Sequence, residues 1–394
     1  MRPVDDHLKR VLAEVRALPE LELRLLDAHG CVLAEDVVAP APLPAYDTAT
    51  TDGYAVRAAD LATATAERPV ALHVVADVAP GQLPTVVVQQ DLCVRVRAGS
   101  VVPRGAEAVV PVSFTDGGLA HVHVTRAAPP GAYVRRAGED VTAGTTVLAR
   151  NTVLNAPQIA LLAAVGRRNV LVRPRPRVVV VASGADLAGE AAIRDASGTA
   201  IAAAVREAGG TPYHAGVVAD DPREFASVVE DHLIQADLVV VTGAGIDAVS
   251  RDVLPRLGEV TFEELAMEPG GMHGFGRIGT ESIPVFALPG GAVASLVAFE
   301  VFVRPALRRM LGSETLGRPH VSAVATTPFR SVAGRREFVR ARVERSADRW
   351  VVTPTAPHLS GYAAANAFAI VGEDATEVAA GTPLLTWLLE RRGV

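Results

Sequence analysis

An aspartate, Asp52, stands in the segment LPAYDTATTDGYAVR (residues 43–57), between threonines and a glycine. A carboxylate that projects from a loop here would be available to bind a cation or to hold water. Gly53 favours such a loop because glycine tolerates backbone conformations that other residues avoid. The simpler interpretation is an Asp-Gly turn between two strands, in which Asp52 is only structural. The segment by itself leaves both interpretations open.

Short β segments surround this loop. Residues 5–18 predict an amphipathic helix, and residues 21–26 and 31–37 predict a strand pair. From about residue 45 to 133 short apolar or alternating stretches are separated by turn residues, without a helical period. These stretches are residues 71–78, 85–90, 92–99, 108–114 and 119–125. We therefore expect a small β domain that carries Asp52.

The next residues, 134–170, combine β segments with a short helix. Pro157 lies near the first turn of that helix and Gly166 lies past its end, which are the positions these residues favour. The sequence RPRPR at residues 173–177 then indicates a boundary.

Strands and helices alternate from residue 177 onward. Apolar runs predict strands, and the segments between them predict helices; Pro305 should kink or restart the last helix. The strand segments are 177–183, 215–220, 237–243 and 284–291, and the helices are 198–208, 222–234, 250–257 and 292–311. This alternation is typical of a parallel three-layer α/β sheet, which binds ligands at the carboxyl ends of its strands. From residue 318 the pattern predicts a C-terminal β domain.

Composition excludes several classes of protein. The 394 residues are 49% hydrophobic and 21% charged, which is typical of a globular chain of several domains. A net charge of −6, without a basic patch, argues against nucleic-acid binding. Cys31 and Cys93 lack CxxC spacing and are expected to be free thiols in a reducing compartment.

No segment is expected to enter a membrane. The N-terminal residues form an acidic amphipathic pattern rather than a signal peptide. An uncharged run at residues 282–299 is interrupted by Leu-Pro-Gly-Gly and predicts strand, turn and helix. We therefore expect a soluble, cytoplasmic protein.

Motifs along nearly the whole chain resemble one family, the molybdopterin molybdenumtransferases (MoeA and the E domain of gephyrin). The opening motif of that family, roughly Pro-x-Phe-Asp-Asn-Ser-x-Met-Asp-Gly-Tyr-Ala-Val, corresponds to residues 44–56. Further similar segments are residues 134–148, 158–166, 237–245, 288–291, 334–341 and 360–369. Their common order makes the resemblance specific.

The resemblance implies an elongated homodimer of multidomain α/β subunits. It implies a discontinuous N-terminal subdomain (1–44 and 134–171), a small β domain (45–133), a three-layer molybdopterin-binding domain (172–315) and a C-terminal β domain (316–394). It also implies insertion of molybdate into adenylyl-molybdopterin with Mg²⁺ and release of AMP. In the family the site lies in a cleft between the three-layer domain of one subunit and the β domain of the other.

The resemblance also assigns site residues. Asp52, Asp140 and Asp252 are expected to be catalytic, and Asp52, Asp220 (or Asp221) and Asp252 to bind Mg²⁺. Each acid also has a structural interpretation as a turn or cap residue. The expected ligand-binding residues are Asp186, Gly243, Gly245, Arg251, Arg277, Gly290, Gly291 and Ser360.

Departures from the family pattern concern the binding of anions. A family threonine is Ala98 here, and the lysines of a Lys-Pro-Gly-Lys-Pro segment are Glu268 and Gly271. Gly291 replaces an asparagine, and Asp247 replaces a serine. Lys9 is the only lysine of the chain, so arginine is the residue that could take over the role of the missing lysines, and Arg251 and Arg277 are the candidates nearest in sequence. The alternative is that Glu268 turns to solvent.

Two other functions are compatible with these departures. One is a gephyrin-like scaffold whose protein partner binds the groove between the three-layer and C-terminal β domains. The other is a sensor that binds a pterin or a nucleotide without transferring molybdenum.

Overall fold

The computed structural model describes residues 1–184, 195–243, 248–346 and 348–389. The chain forms two compact units. The larger unit contains residues 1–23, 28–34 and 171–394, and the smaller unit contains residues 24–27 and 35–170.

The N-terminal elements are helix α1 (Val4–Glu14) and strands β1 (Leu21–Arg24), β2 (Val32–Leu33) and β3 (Val37–Val38). Helix α1 ends before residue 18, as Val15 is already extended, and Leu18 donates its N–H to the Met310 carbonyl. The predicted pairing of β1 with β2 is wrong. Strand β12 (Asn169–Arg173) lies between them in the sheet order β1-β12-β2.

The smaller unit contains a five-stranded sheet of order β8-β5-β7-β6-β9. Its strands are β5 (Gly53–Val56), β6 (Val70–Val78), β7 (Leu92–Val96), β8 (Ala108–Pro111) and β9 (His121–Val124), with short 3-10 turns at Ala58–Leu61 and Val112–Phe114. The strand predicted at residues 85–90 does not form. Only an isolated bridge joins Val87 to Arg104, since this stretch lies outside the sheet.

Short strand pairs and one helix complete the smaller unit. Strand β4 (Thr48–Ala49) pairs with β10 (Val134–Arg135), and β3 pairs with β11 (Thr146–Leu148). Helix α2 (Ala156–Ala164) has Pro157 in its first turn and is followed by Gly166 in the left-handed region, as predicted.

The three-layer region of the larger unit has a mixed sheet of order β14-β13-β15-β19-β18-β16. Its strands are β13 (Arg177–Ser183), β14 (Thr211–Val218), β15 (Leu238–Thr242), β16 (Gly258–Glu264), β18 (Met272–Ile278) and β19 (Ile283–Leu288). Its helices are α3 (Ala196–Glu207), α4 (Pro222–Leu233), α5 (Val249–Leu257), α6 (Ala292–Ala298) and α7 (Arg304–Met310).

The prediction of a wholly parallel sheet is therefore only partly correct. The strands β14, β13, β15 and β19 are parallel, whereas β18 and β16 are antiparallel additions that the sequence did not indicate. A π-helical turn at Phe299–Val303 joins α6 to α7, and Pro305 lies in the first turn of α7, as the predicted restart requires.

The C-terminal part of the larger unit is a second six-stranded sheet. Its order is β17-β22-β23-β20-β26-β24, so it includes one strand, β17 (Met267–Glu268), that precedes β18 in the chain. The remaining elements are β20 (His320–Ala325), β21 (Phe329–Arg330), β22 (Arg336–Ser346), β23 (Arg349–Pro354), α8 (Leu359–Ala364), β24 (Ala367–Val371), β25 (Glu377–Val378) and β26 (Pro383–Leu388). Among the described residues, none of the helices combines the length and apolarity needed to cross a membrane.

Candidate active site

Asp52 lies in the loop between β4 and β5 of the smaller unit and is exposed. One carboxylate oxygen, Oδ1, accepts a hydrogen bond of 2.8 Å from the Ala98 N–H. The Asp52 carbonyl accepts another, of 3.2 Å, from the Val112 N–H. Asp52 therefore stabilises the loop at Ala98, as the structural interpretation holds, while its carboxylate stays accessible.

Gly53 is required by packing rather than by an unusual backbone angle. It begins β5, and its φ is not in the left-handed region. A Cβ at this position would lie 2.0 Å from the Val110 carbonyl oxygen of β8, which is too close for any side chain. The turn that the sequence suggested is thus a close approach of two strands.

Two further acids of the smaller unit are bound by arginines. Arg135 of β10 forms an ion pair with Asp140. The neighbouring Arg136 contacts Asp47 at 2.6 Å, and the Ala137 N–H donates to the other Asp47 oxygen at 2.8 Å. Burial would raise the pKa of Asp47, but the Ala137 amide and the Arg136 guanidinium together hold it below its usual range.

Asp47, Arg135 and Arg136 were not among the predicted site residues. The pairing of β4 with β10 brings Thr48 opposite Arg135, and this places both arginines next to the segment of Asp52. Asp47 lies in the segment of residues 43–57 and the two arginines in the segment of residues 134–148, so a count of charged residues within these motifs would have found them.

Three parallel strands of the larger unit have their carboxyl ends at one edge of the sheet, where the described residues of the following segments lie. These segments follow β13 at Ser183, β15 at Gly243 and β19 at Pro289 and Gly290. Gly243 has φ +96°, and a Cβ on it would lie 1.9 Å from the Ser183 carbonyl oxygen. A Cβ on Gly290 would lie 4.0 Å from the Gly243 Cα. The structure therefore brings Gly243 and Gly290 together through their backbones, at the edge where parallel sheets bind ligands.

The loop after β19 is fixed from within. The Ser295 hydroxyl, which is buried, donates a 2.6 Å hydrogen bond to the Pro289 carbonyl. The Ser295 N–H donates to the Gly291 carbonyl at 3.0 Å, and Gly291 has φ +85° at the start of α6. This geometry favours glycine at position 291, where the resembled family has asparagine.

The predicted metal ligands of the larger unit do not form a cluster. Asp220 is exposed in the segment after β14, and Asp252 is exposed in the first turn of α5. The next acid, Asp221, caps α4 by accepting from the N–H groups of Arg223 and Glu224 at 2.9 and 2.8 Å, so its role is structural. Among the described residues no three His, Cys, Asp or Glu side chains are grouped to bind one metal ion.

The two predicted arginines differ in position. The Arg251 guanidinium lies 5.7 Å from the centre of the Phe262 ring. Arg277 pairs with Pro284, four positions before the carboxyl end of β19, and its guanidinium donates to the Glu14 and Ser282 carbonyls. The structure therefore does not bring Arg277 to the loops at Gly243 and Gly290.

A different arginine, Arg335, accompanies Glu268. Its guanidinium lies 3.7 Å from the Glu268 carboxylate and 2.8 Å from that of Glu264. It also lies 3.3 Å from the point where a Cβ on Gly271 would be. The parallel pairing of β17 with β22 brings Arg335 to Glu268. The two residues are far apart in the sequence, so the sequence did not indicate this contact.

Arg340 and Ser360 lie in the C-terminal sheet region. Arg340 of β22 donates to the Phe338 and Pro357 carbonyls at 3.2 and 3.3 Å, and burial lowers its pKa. Ser360 is exposed in the first turn of α8, three residues beyond Pro357. The predicted residues Asp186 and Gly245, and the substitution at Asp247, lie outside the described residues.

Family models match three consecutive parts of the chain. Residues 2–166 match the MoeA N-terminal region (domain I and II), and residues 322–389 match the MoeA C-terminal region (domain IV). Between them, residues 179–309 match a model described as a probable molybdopterin binding domain.

Known proteins are similar over nearly the full length. Molybdopterin molybdenumtransferase 2 of Mycobacterium tuberculosis (strain H37Rv) is 39% identical over 98% of this chain and 99% of its own. Molybdopterin molybdenumtransferase of Bacillus subtilis (strain 168) is 30% identical, and the match covers 94% of this chain and 90% of that protein. A crystal structure of a molybdopterin biosynthesis MoeA protein from Pyrococcus horikoshii has a TM-score of 0.76 and 28% identity, with 99% of both chains covered.

Proposed function

The chain belongs to the MoeA family of molybdopterin molybdenumtransferases, and from this premise we propose that it inserts molybdate into adenylyl-molybdopterin and releases AMP. The observation that carries the proposal is the close packing of Ser183, Gly243 and Gly290 at the carboxyl ends of β13, β15 and β19. Backbone N–H groups there suit the phosphate groups of such a substrate.

We assign the cationic part of the site to arginines. If the Glu268 carboxylate lay about 4 Å from a bound anion, it would weaken the binding of that anion by about 4 kcal/mol at an effective dielectric near 20. Arg335 lies 3.7 Å from Glu268 and 2.8 Å from Glu264, so it reduces the repulsion from these carboxylates, and solvent weakens all of these effects because the side chains are partly exposed. Arg340 adds a second guanidinium; it lies in β22, the strand that pairs with the Glu268 strand β17.

We assign acidic groups in each unit by itself: Asp52 and Asp140 in the smaller unit, and Asp220 and Asp252 in the larger unit. The donor chemistry fits Mg²⁺, since Asp220 and Asp252 are exposed and Asp52 uses only Oδ1 for the Ala98 amide. Mg²⁺ usually binds one or two carboxylates together with water and substrate phosphates, so a cluster of three protein ligands is not needed. When bound, the ion would neutralise charge on the phosphate of the substrate.

Two organisational proposals follow from the family. We propose that the chain acts as a homodimer in the cytoplasm. We also propose that its domains follow the four-part division made from the sequence, with residues 45–133 and 316–394 as separate β domains.

Purified protein tests the activity directly. Adenylyl-molybdopterin, molybdate and Mg²⁺ are supplied, and AMP release is followed with and without molybdate. We expect AMP release that requires molybdate, and we expect the gene to restore molybdoenzyme activity in a strain without its own insertase. Folded wild-type protein that releases no AMP and restores no activity would refute the proposal.

A further inference from the structure

A buried histidine, His273, holds the loop that carries Glu268 and Gly271. His273 lies in β18 and is 2% exposed. Its Nε2 is 2.8 Å from the Gly270 carbonyl oxygen. A carbonyl only accepts hydrogen bonds, so Nε2 must carry the proton. The ring packs edge-on against Phe302, with the centroids 5.2 Å apart, which restricts its rotation.

The hydrogen bond determines where the next amide points. In a trans peptide the carbonyl oxygen and the following N–H lie on opposite sides of the chain. Since the Gly270 carbonyl faces the buried His273, the Gly271 N–H faces away from it. The Gly271 carbonyl is also fixed, because it accepts a 2.7 Å hydrogen bond from the Leu265 N–H. Hydrogen bonds therefore fix the peptide groups on both sides of Gly271.

The Gly271 N–H is available for a ligand. Within the described part of the chain it has no hydrogen-bond acceptor, although the residue is partly buried. The Arg335 guanidinium lies next to Gly271, 3.3 Å from where a Cβ would be. An amide N–H beside a guanidinium is a combination that binds oxyanions.

We propose that His273 is a positioning residue for a tetrahedral oxyanion: it turns the Gly271 N–H outward beside Arg335, so that amide and guanidinium replace the missing lysines. The inference rests on the proposed function, and it identifies molybdate as the ligand of this loop. His273 itself does not touch the anion.

The imidazole must stay neutral for this arrangement. Burial lowers the pKa of His273 to about 3, against a smaller opposing effect of the Gly270 carbonyl, and the neighbouring His7 lowers it further. The Nε2–H tautomer therefore persists at every pH at which the protein would work.

Two substitutions of similar size separate positioning from packing. His273→Gln retains an N–H donor, whereas His273→Met fills similar space without one. Tungstate, a stable analogue of molybdate, is titrated into the full-length protein by calorimetry, with sulfate as a second probe for selectivity. We expect the dissociation constant for tungstate to rise about tenfold in His273→Met and to stay within about threefold of wild type in His273→Gln.

His7→Phe is the matched control. His7 belongs to the same buried group, 4.9 Å from the Phe302 ring, but nothing in the described structure joins it to the loop by a hydrogen bond. We expect wild-type tungstate affinity in this variant. Equal affinity in His273→Met and His273→Gln, or equal loss in His7→Phe, would overturn the inference. Because the titration needs no adenylyl-molybdopterin, a correct binding pattern without AMP release would refute only the proposed function.

Discussion

The smaller and larger units present their candidate groups in different ways. In the smaller unit these groups are side chains: Asp47, Asp52 and Asp140 project from loops and are held by arginines or single amides. In the larger unit backbone groups of glycines are candidates as well as side chains, and Gly243 is packed too closely for a side chain. Substitutions in the smaller unit should therefore change activity more than stability, whereas those at Gly243 should change both.

The largest effect is expected at Asp52. Asp52→Asn keeps an oxygen for the Ala98 N–H but removes the charge, so AMP release should fall at least about a hundredfold while the free energy of unfolding stays within about 1 kcal/mol. Asp52→Ala should lose the same activity and about 1 kcal/mol of stability, measured by denaturant unfolding. Asp116→Asn, in an exposed loop of the same unit, serves as the control. Near-normal turnover by Asp52→Asn would remove Asp52 from the site.

The next effect concerns the glycine loops of the larger unit. Gly243→Ala should lower the free energy of unfolding by about 4 kcal/mol, because the new methyl group meets the Ser183 carbonyl and the left-handed backbone is disfavoured. Gly291→Ala should cost only about 1 kcal/mol, since its φ is similar but no atom lies within 4 Å of the new Cβ. Both tryptophans, Trp350 and Trp387, lie in the larger unit, so their fluorescence reports its unfolding. Equal costs would show that the contact with Ser183 is unimportant.

Acid should destabilise the larger unit through His7. Burial, with smaller contributions from Arg10 and Arg2, lowers the pKa of His7 to about 4, although Glu263 lies 3.4 Å away. The unfolded chain, with a usual histidine pKa near 6.5, then binds the proton more readily, so stability is complete above about pH 6.5 and falls towards pH 4. His7→Phe should reduce this slope by about 1.4 kcal/mol per pH unit. Tryptophan fluorescence during urea unfolding at pH 5 and pH 6 measures this slope, and an unchanged slope in His7→Phe would contradict the role given to His7.

The smallest effect is expected at Glu268. Glu268→Gln removes a negative charge beside Gly271 and leaves Arg335 in place, so the KM for molybdate should fall a few-fold with little change in kcat. Glu259→Gln, at the start of β16, is the control and should change neither constant. A higher KM in Glu268→Gln would mean that Glu268 assists binding by orienting Arg335.

Sequence patterns predicted secondary structure best where burial on both faces requires apolar residues. The strand Arg177–Ser183 was predicted with its observed bounds because an unbroken apolar run suits a strand covered on both faces. Helix α1 was predicted too long, since apolar residues continue after Glu14 and pack as extended chain. Strands β16 and β18 were missed because residues 258–278 contain several glycines and acids and no clear alternation.

The candidate site was predicted only in part for a similar reason. Acids and glycines could be identified along the chain, because their types suit the expected chemistry. Arg335 could not, because its contact with Glu268 depends on the pairing of β17 with β22, across 67 positions of sequence. Nor could the hydrogen bond from His273 to Gly270, which depends on the buried conformation of the loop.

The replacement of the family's lysines by an arginine and a backbone amide is what we propose for this chain. It is tested most directly by the KM for molybdate in AMP release, compared between Arg335→Gln and Arg277→Gln. We expect Arg335→Gln to raise KM at least about tenfold, and Arg277→Gln, whose guanidinium binds carbonyls at the other end of β19, to leave it unchanged. An unchanged KM in Arg335→Gln, with stability retained, would contradict the claim.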